Sequence, residues 1–281
     1  MTDVPTHDAA HPVPQTLIAA DGASAVVHAH GAQVISWRPV GGVERLFLSR
    51  TADYRAQAAI RGGIPVIFPQ FAGEGSLPKH GFARVSEWRF DGGTRAVDGA
   101  ASASWTLCDD ETTRTLWPHA FAAQLTVVVG GSTLAVTLAV HNAGATPMRF
   151  TAALHSYFAV EDIAEVTVLG LGGHRYRDTA AGGVERRQTE RALRIVGEVD
   201  RIYFDVPESL RLQERHCRLQ IEAAGFPDVV IWNPGEVRGA ALTDLEADGY
   251  AHMLCIEAAV IGRPVQLAPG ERWQGTQTLI A

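Results

Sequence analysis

The densest run of chemically capable side chains in this 281-residue chain lies between Ile60 and Trp88, in IRGGIPVIFPQFAGEGSLPKHGFARVSEW. Its basic groups are Arg61, Lys79, His80 and Arg84; Glu74 and Glu87 are the acidic ones. Lys79 is the only lysine among 24 Lys and Arg residues. A compact ammonium beside two guanidinium forks suits a phosphate dianion. The plain alternative is a structural loop with solvated charges, because charged side chains are mostly exposed. Two more groups stand out, His155 in FTAALHSYF and Glu257 in MLCIEAA. An imidazole with a pKa of about 6.5 can give a proton near neutrality, and a carboxylate with a pKa of about 4.3 can take one. Such a pair can move protons on and off a substrate without a redox group. A hydrogen-bonded core histidine and a structural ion pair remain open as readings of the same two residues.

These residues must be positioned by strands. In Met148–Phe158, His155 shares a face with Arg149, Thr151 and Ala153, while Met148, Phe150, Ala152 and Leu154 form a wholly apolar opposite face. In Met253–Val260, Glu257 shares a face with Cys255 and Ala259, opposite Leu254, Ile256 and Ala258. Alternation is equally plain in Leu134, Val136, Leu138 and Val140, which follow the β-branched run Gln124–Val129 across Gly130-Gly131. That pattern predicts a hairpin with a two-residue glycine turn. Short runs at Ala25–Trp37, Ala101–Leu107, Arg218–Ala223 and Val229–Trp232 repeat the theme. Ile60–Trp88 itself, with five glycines and three prolines, predicts a close-packed loop. Few windows sustain a helical period, and the best of them, Asp205–Gln213, is weak. The expectation is an all-β sandwich with few short helices, one domain over residues 16–281 and a flexible tail over 1–15.

Composition narrows the function classes. The net charge of −7 argues against a non-specific nucleic-acid binder, and no apolar stretch is long enough to span a bilayer. Cys108, Cys217 and Cys255 are widely spaced and odd in number, without a zinc pattern, which points to a reducing, cytoplasmic setting. The first residues lack a basic start and an apolar run, so no secretory signal is expected.

The motif IRGGIPVIFPQF followed by LPKHGFAR resembles the glucose-6-phosphate 1-epimerase (hexose-6-phosphate mutarotase) family, a branch of the aldose-1-epimerase superfamily. WPHAF, FTAALHSYF, GHRYRD, VDRIYF, VVIWNP and MLCIEAA continue the resemblance in the same order over nearly the whole chain after Leu17. It implies a galactose-mutarotase-like β-supersandwich with no metal or other cofactor. It also implies His155 as general acid, Glu257 as general base, and Arg61, His80 and Arg84 as ligands of sugar and phosphate oxygens. Asp178 would accept a substrate hydroxyl; its residue type alone fits a turn aspartate equally well. Lys79 departs from members with Gln before HGFAR, adding charge that fits a phosphorylated substrate. Tyr157 and Trp232 are read as core aromatics rather than sugar platforms.

The implied chemistry matches the residues. Anomers interconvert through the open-chain aldehyde, which needs one proton placed on the ring oxygen and one removed from the anomeric hydroxyl. Rotation about C1–C2 and reclosure reverse both transfers. The expected partner is a small sugar phosphate, with no nucleic acid or membrane, and the expected assembly is a monomer. A mutarotase for unphosphorylated aldoses and a non-catalytic sugar-phosphate binder are the alternatives. Convergence of Arg61, Lys79 and Arg84 on one anion separates the first of these from the leading reading.

Overall fold

The computed structural model describes residues 13–206, 209–215 and 218–281. Cys217 and residues 1–12 of the expected tail lie outside the described residues. Three antiparallel sheets account for the architecture, with three, eight and nine strands. In the nine-stranded sheet, Ala101–Cys108, Phe121–Gly130 and Thr133–Asn142 bury every second side chain, as their alternation dictates. The hairpin turn falls one residue later than the sequence suggests. Gly130 pairs with Thr133, so Gly131 and Ser132 form the loop, and Gly131 takes the positive φ of 58° that such turns favour.

The eight-stranded sheet carries the residues of interest. Its order is Val184–Arg187, Arg175–Asp178, Val199–Tyr203, Asp228–Asn233, Met253–Leu267, Met148–Leu154 and Val66–Ile67, with Tyr157–Ala159 also paired to Met253–Leu267. One apolar cluster joins all three sheets through side chains such as Trp37, Trp105, Leu125, Leu154 and Ile256. Leu254, Ile256, Ala258 and Val260 point into it, as do Met148, Phe150, Ala152 and Leu154. The opposite face, with Glu257, is covered by other chain segments, so Met253–Leu267 is buried on both sides from Met253 to Ile261.

Three expectations are corrected. Asp205–Gln213 is not helical where described: Leu210–Gln213 is a strand burying Leu210 and Leu212 against the core. Two-residue burial periodicity outweighs the faint helical one there. The run Met148–Phe158 is two strands with a break at His155-Ser156. The last residue of the expected tail, Gln15, already belongs to the strand Gln15–Ile18. Among the described residues the α-helices are Glu111–Leu116 and Gly235–Ala240, and no helix is long and apolar enough to cross a membrane.

The segment over 60–88 joins the edge of the eight-stranded sheet through Val66–Ile67 and then loops back to the 3-10 helix Ala83–Val85. Two glycines make that path possible. Gly63 has φ of 61°, and a Cβ there would lie 2.1 Å from the Val34 carbonyl oxygen. Gly81 has φ of 68°, and its Cβ would lie 2.3 Å from the Phe68 carbonyl oxygen. Neither conformation nor space admits a larger residue.

Candidate active site

His155 sits where the backbone leaves one strand and joins the next. Its N–H donates to the Pro65 carbonyl at 2.9 Å, and that of Tyr157 donates to Gly63 at 2.8 Å. The IRGGIP segment therefore fixes the break. Ala258 pairs with Leu154 and Ala259 with Ala153, which brings Glu257 beside His155 on the outer face. Their Nε2 and Oε1 atoms are 3.3 Å apart, with the side chains only 9% and 2% exposed. His155 Nδ1 and Glu257 Oε2 are buried and make no hydrogen bond among the described residues. Each of the two groups thus faces the other with one atom and keeps one polar atom uncommitted.

Aromatic rings hold the imidazole in place. It stacks on Tyr157 at 4.8 Å and 8°, and Trp232 meets both rings edge-on at 6.0 Å. The Tyr157 hydroxyl accepts from Arg61 Nη1 at 2.9 Å. Arg61 also donates from Nε and Nη2 to the two oxygens of Asp244, each at 3.1 Å. Burial opposes the Arg61 charge, but Tyr157 and Asp244 outweigh it and hold the guanidinium above its ordinary pKa. Arg61 is a clamped cation.

Arg84 differs. Its Nη2 donates to the Lys79 carbonyl at 3.2 Å, while its Nε is buried without a partner among the described residues. Burial pulls its pKa down, with Arg61 adding to the effect. Lys79 is also pulled down, first by burial and then by Arg238 and Arg84. Lys79 therefore feels Arg238, Arg84 and Arg61, and Arg84 feels Arg61, while Arg238 itself bonds Glu198. A dianion arriving among them would relieve mutual repulsion as well as gain hydrogen bonds.

His80 lies 5.7 Å from the His155 ring. Its Nδ1 accepts from the Ala72 N–H at 3.3 Å, which leaves Nε2 to carry the proton of the neutral ring. Burial, then Arg84 and Lys79, lower its pKa to about 2. This histidine is a fixed neutral donor, not a titrating base.

Burial likewise drives His155 well below its ordinary pKa, aided by His80, Arg84 and Arg61. Burial drives Glu257 well above its ordinary value, aided by Asp200 and opposed by Arg84 and Lys79. Desolvation penalises either charge alone, so the pair as a unit favours holding one proton.

Asp178 is not brought to this face. It pairs with Arg201, which pairs with Ile231, which pairs with Ile256 on the core side. Glu257 belongs to the adjacent row, with Val230, Ile202 and Arg177. One residue of register sends Asp178 to the opposite side of the sheet. There it lies 3.7 Å from Arg201 Nε and accepts from the Ala181 N–H at 3.2 Å, as a turn aspartate. The acid that does reach the outer face is Asp200, in the row of Trp232 and Cys255. Burial raises its pKa, and Arg238 and Lys79 counter that rise. VDRIYF contains Asp200, so its motif was visible; the face it takes depends on register. Asp244 and Arg238 carried no sequence signal, because their relation to Arg61 and Lys79 spans the length of the chain. Among the described residues no cluster of three His, Cys, Asp or Glu side chains is arranged to hold a metal.

The sequence and the fold resemble those of known proteins. A sequence profile of the aldose 1-epimerase family aligns with residues 15–279. A protein from Cenchrus ciliaris named "Putative glucose-6-phosphate 1-epimerase" is 37% identical over 268 residues, covering 92% of this chain and 81% of its own. An Escherichia coli (strain K12) protein of the same name is 36% identical over 234 residues, covering 82% of this chain and 77% of its own. The crystal structure of a "putative mutarotase (YeaD)" from Salmonella typhimurium superposes with a TM-score of 0.87 at 29% identity, over 98% of this chain and 96% of that one. A galactose mutarotase related enzyme from Lactobacillus acidophilus shares the fold, with a TM-score of 0.76 at 17% identity over 95% of this chain and 97% of that one. With a mutarotase-like fold and a match across nearly all of its length, the chain is an isomerase and belongs to the aldose 1-epimerase family.

Proposed function

We propose that the protein interconverts the α and β anomers of an aldohexose 6-phosphate, with glucose 6-phosphate as the substrate the relatives' names suggest. The observation that carries this is the buried His155–Glu257 contact at 3.3 Å, with Arg61, Lys79 and Arg84 near enough to perturb the pair. His155 protonates the ring oxygen while Glu257 takes the anomeric hydroxyl proton. The C1–O5 bond breaks and the aldehyde forms. Rotation about C1–C2 presents the other face. Reclosure returns a proton from Glu257 to the carbonyl oxygen and one from the O5 hydroxyl to His155, so the pair ends as it began.

The roles require the pair's one proton to sit on His155 when the ring opens. Burial first, then His80, Arg84 and Arg61, keep the free imidazole neutral. A bound dianion offsets those cations and so favours protonation of His155, while Glu257 loses part of the support that Arg84 and Lys79 give its carboxylate. Lys79 and Arg84 are the natural phosphate ligands, since Arg84 has unspent donors and Arg61 is held by Asp244. His80 Nε2 and Asp200 are placed to bind hydroxyls, in the role the sequence suggested for Asp178.

Anomer-exchange rates measured with glucose 6-phosphate and with glucose test the reading. A large preference for the phosphate is expected, and Arg84→Ala should raise KM for it by about 10–100-fold, the worth of a charge-assisted contact. Equal rates for both sugars favour the unphosphorylated-aldose alternative. Binding without exchange favours a non-catalytic binder.

A further inference from the structure

The outer face of the eight-stranded sheet holds a concavity away from the His155–Glu257 pair. It has a volume of about 800 Å³ and lies at the far end of the strands that carry the His155–Glu257 pair. Phe71, Ala153, Ile202, Val230 and Ala259 form a buried apolar band between the two places. Neither His155 nor Glu257 lines this cavity.

Its walls are built from paired charges. Arg177 bonds Glu74, Arg263 bonds Asp205, and Arg175 reaches Glu185 at 3.4 Å. Arg149 lines the same space and makes no ion pair or hydrogen bond among the described residues. Asp228 also reaches the wall, but it is 2% exposed and one of its oxygens accepts from the N–H groups of Ile261 and Gly262 at 2.7 and 2.8 Å. Four guanidinium groups and four carboxylates therefore line the cavity, and Arg149 is the guanidinium among them whose side chain has no carboxylate partner among the described residues. Trp117 and Phe204 add ring surface to the lining.

This combination has a definite chemical preference. Guanidinium–carboxylate pairs offer coplanar donors and acceptors to vicinal hydroxyls, and aromatic faces accept the C–H side of a pyranose or polyol. The spare guanidinium of Arg149 fits a single phosphate or carboxylate group. We propose that this cavity is a second, non-catalytic binding site for a small polyol bearing one anionic group. The assignment is independent of the reaction proposed above.

Calorimetric titration with 1,5-anhydroglucitol 6-phosphate, which has no anomeric hydroxyl and cannot turn over, tests it on the full-length protein. Two binding events are expected. Arg149→Ala should weaken one by about tenfold or more, the worth of a charge-assisted contact. Arg263→Ala, on the facing wall, should weaken that same event, and Arg84→Ala should weaken only the other. Arg149 is exposed, so its replacement leaves the core intact. A single event lost in Arg149→Ala and kept in Arg84→Ala upholds the second site even if the catalytic site rejects the probe. Titrations unchanged by both Arg149→Ala and Arg263→Ala overturn it.

Discussion

At the scale of single residues, the site is governed by desolvation. His155 and Glu257 are each forced toward neutrality by burial, yet they touch, so removing either charge partner is tolerable only with a shape-matched neutral group. Glu257→Gln should leave folding intact and lower the exchange rate by about 10²–10⁴-fold, the contribution of one positioned proton-transfer group. Its effect on stability has a sign. Native Glu257 holds its proton above the ordinary pKa of 4.5, so the folded state binds more protons than the unfolded one as pH rises past that value. Stability therefore falls with rising pH in that window, and Glu257→Gln should be the more stable protein at neutral pH in denaturant melts. A lower midpoint for the variant would contradict the assigned direction. His80 works in the other sense. Its pKa of about 2 against an ordinary 6.5 means the unfolded state takes up a proton first, so stability is full above pH 6.5 and drains as pH falls toward 2. His80→Asn preserves an acceptor and tolerates the φ of 69°, and should flatten that acid limb.

At the scale of elements, the loop over 60–88 is the component on which the site's geometry depends. It fixes the backbone of His155 through Pro65, presents Arg61, and delivers Lys79, His80 and Arg84. Its glycines divide into those the path requires and those it does not. Gly63→Ala should cost about 1–3 kcal/mol, because it meets a carbonyl oxygen at 2.1 Å with φ of 61°. Gly73→Ala has nothing within 4 Å and should be near neutral. Thermal melts of the two variants separate the cases, and equal melting points would argue that the loop is not strained by a side chain at Gly63. The glycine and proline content predicted such a loop, and the alternation around His155 and Glu257 predicted the face each would share with its neighbours. The break at His155-Ser156 was not legible, since apolar residues continue through it; carbonyls from a segment about 90 residues earlier create it.

At the scale of the whole molecule, a chain with net charge −7 keeps Arg61, Lys79 and Arg84 close enough to one buried acid–base pair to shift its protonation. KM for glucose 6-phosphate should therefore rise with ionic strength, while turnover at saturation stays level, because screening acts on encounter and phosphate binding rather than on the buried proton path. A salt-independent KM would remove the cations from substrate recognition. The large all-β architecture was readable from period-two patterning, and the motifs singled out His155, Glu257, Arg61, Lys79, His80 and Arg84, which the fold brings near one another. What the motifs did not encode is register. It decides that Asp200 rather than Asp178 shares the face of Glu257, while Asp244, 183 residues from Arg61, reaches its partner from a turn outside the sheet. Both placements are set by the tertiary fold, which a local pattern does not contain.

Two-dimensional exchange NMR on equilibrated glucose 6-phosphate reports the central claim directly, because cross-peaks between the α and β anomeric protons measure interconversion itself. The wild-type protein should produce strong cross-peaks at concentrations where buffer alone gives none. His155→Gln and Glu257→Gln, both folded, should each abolish them on the same timescale. Cross-peaks of undiminished intensity with both variants would mean that the buried pair does not carry the protons.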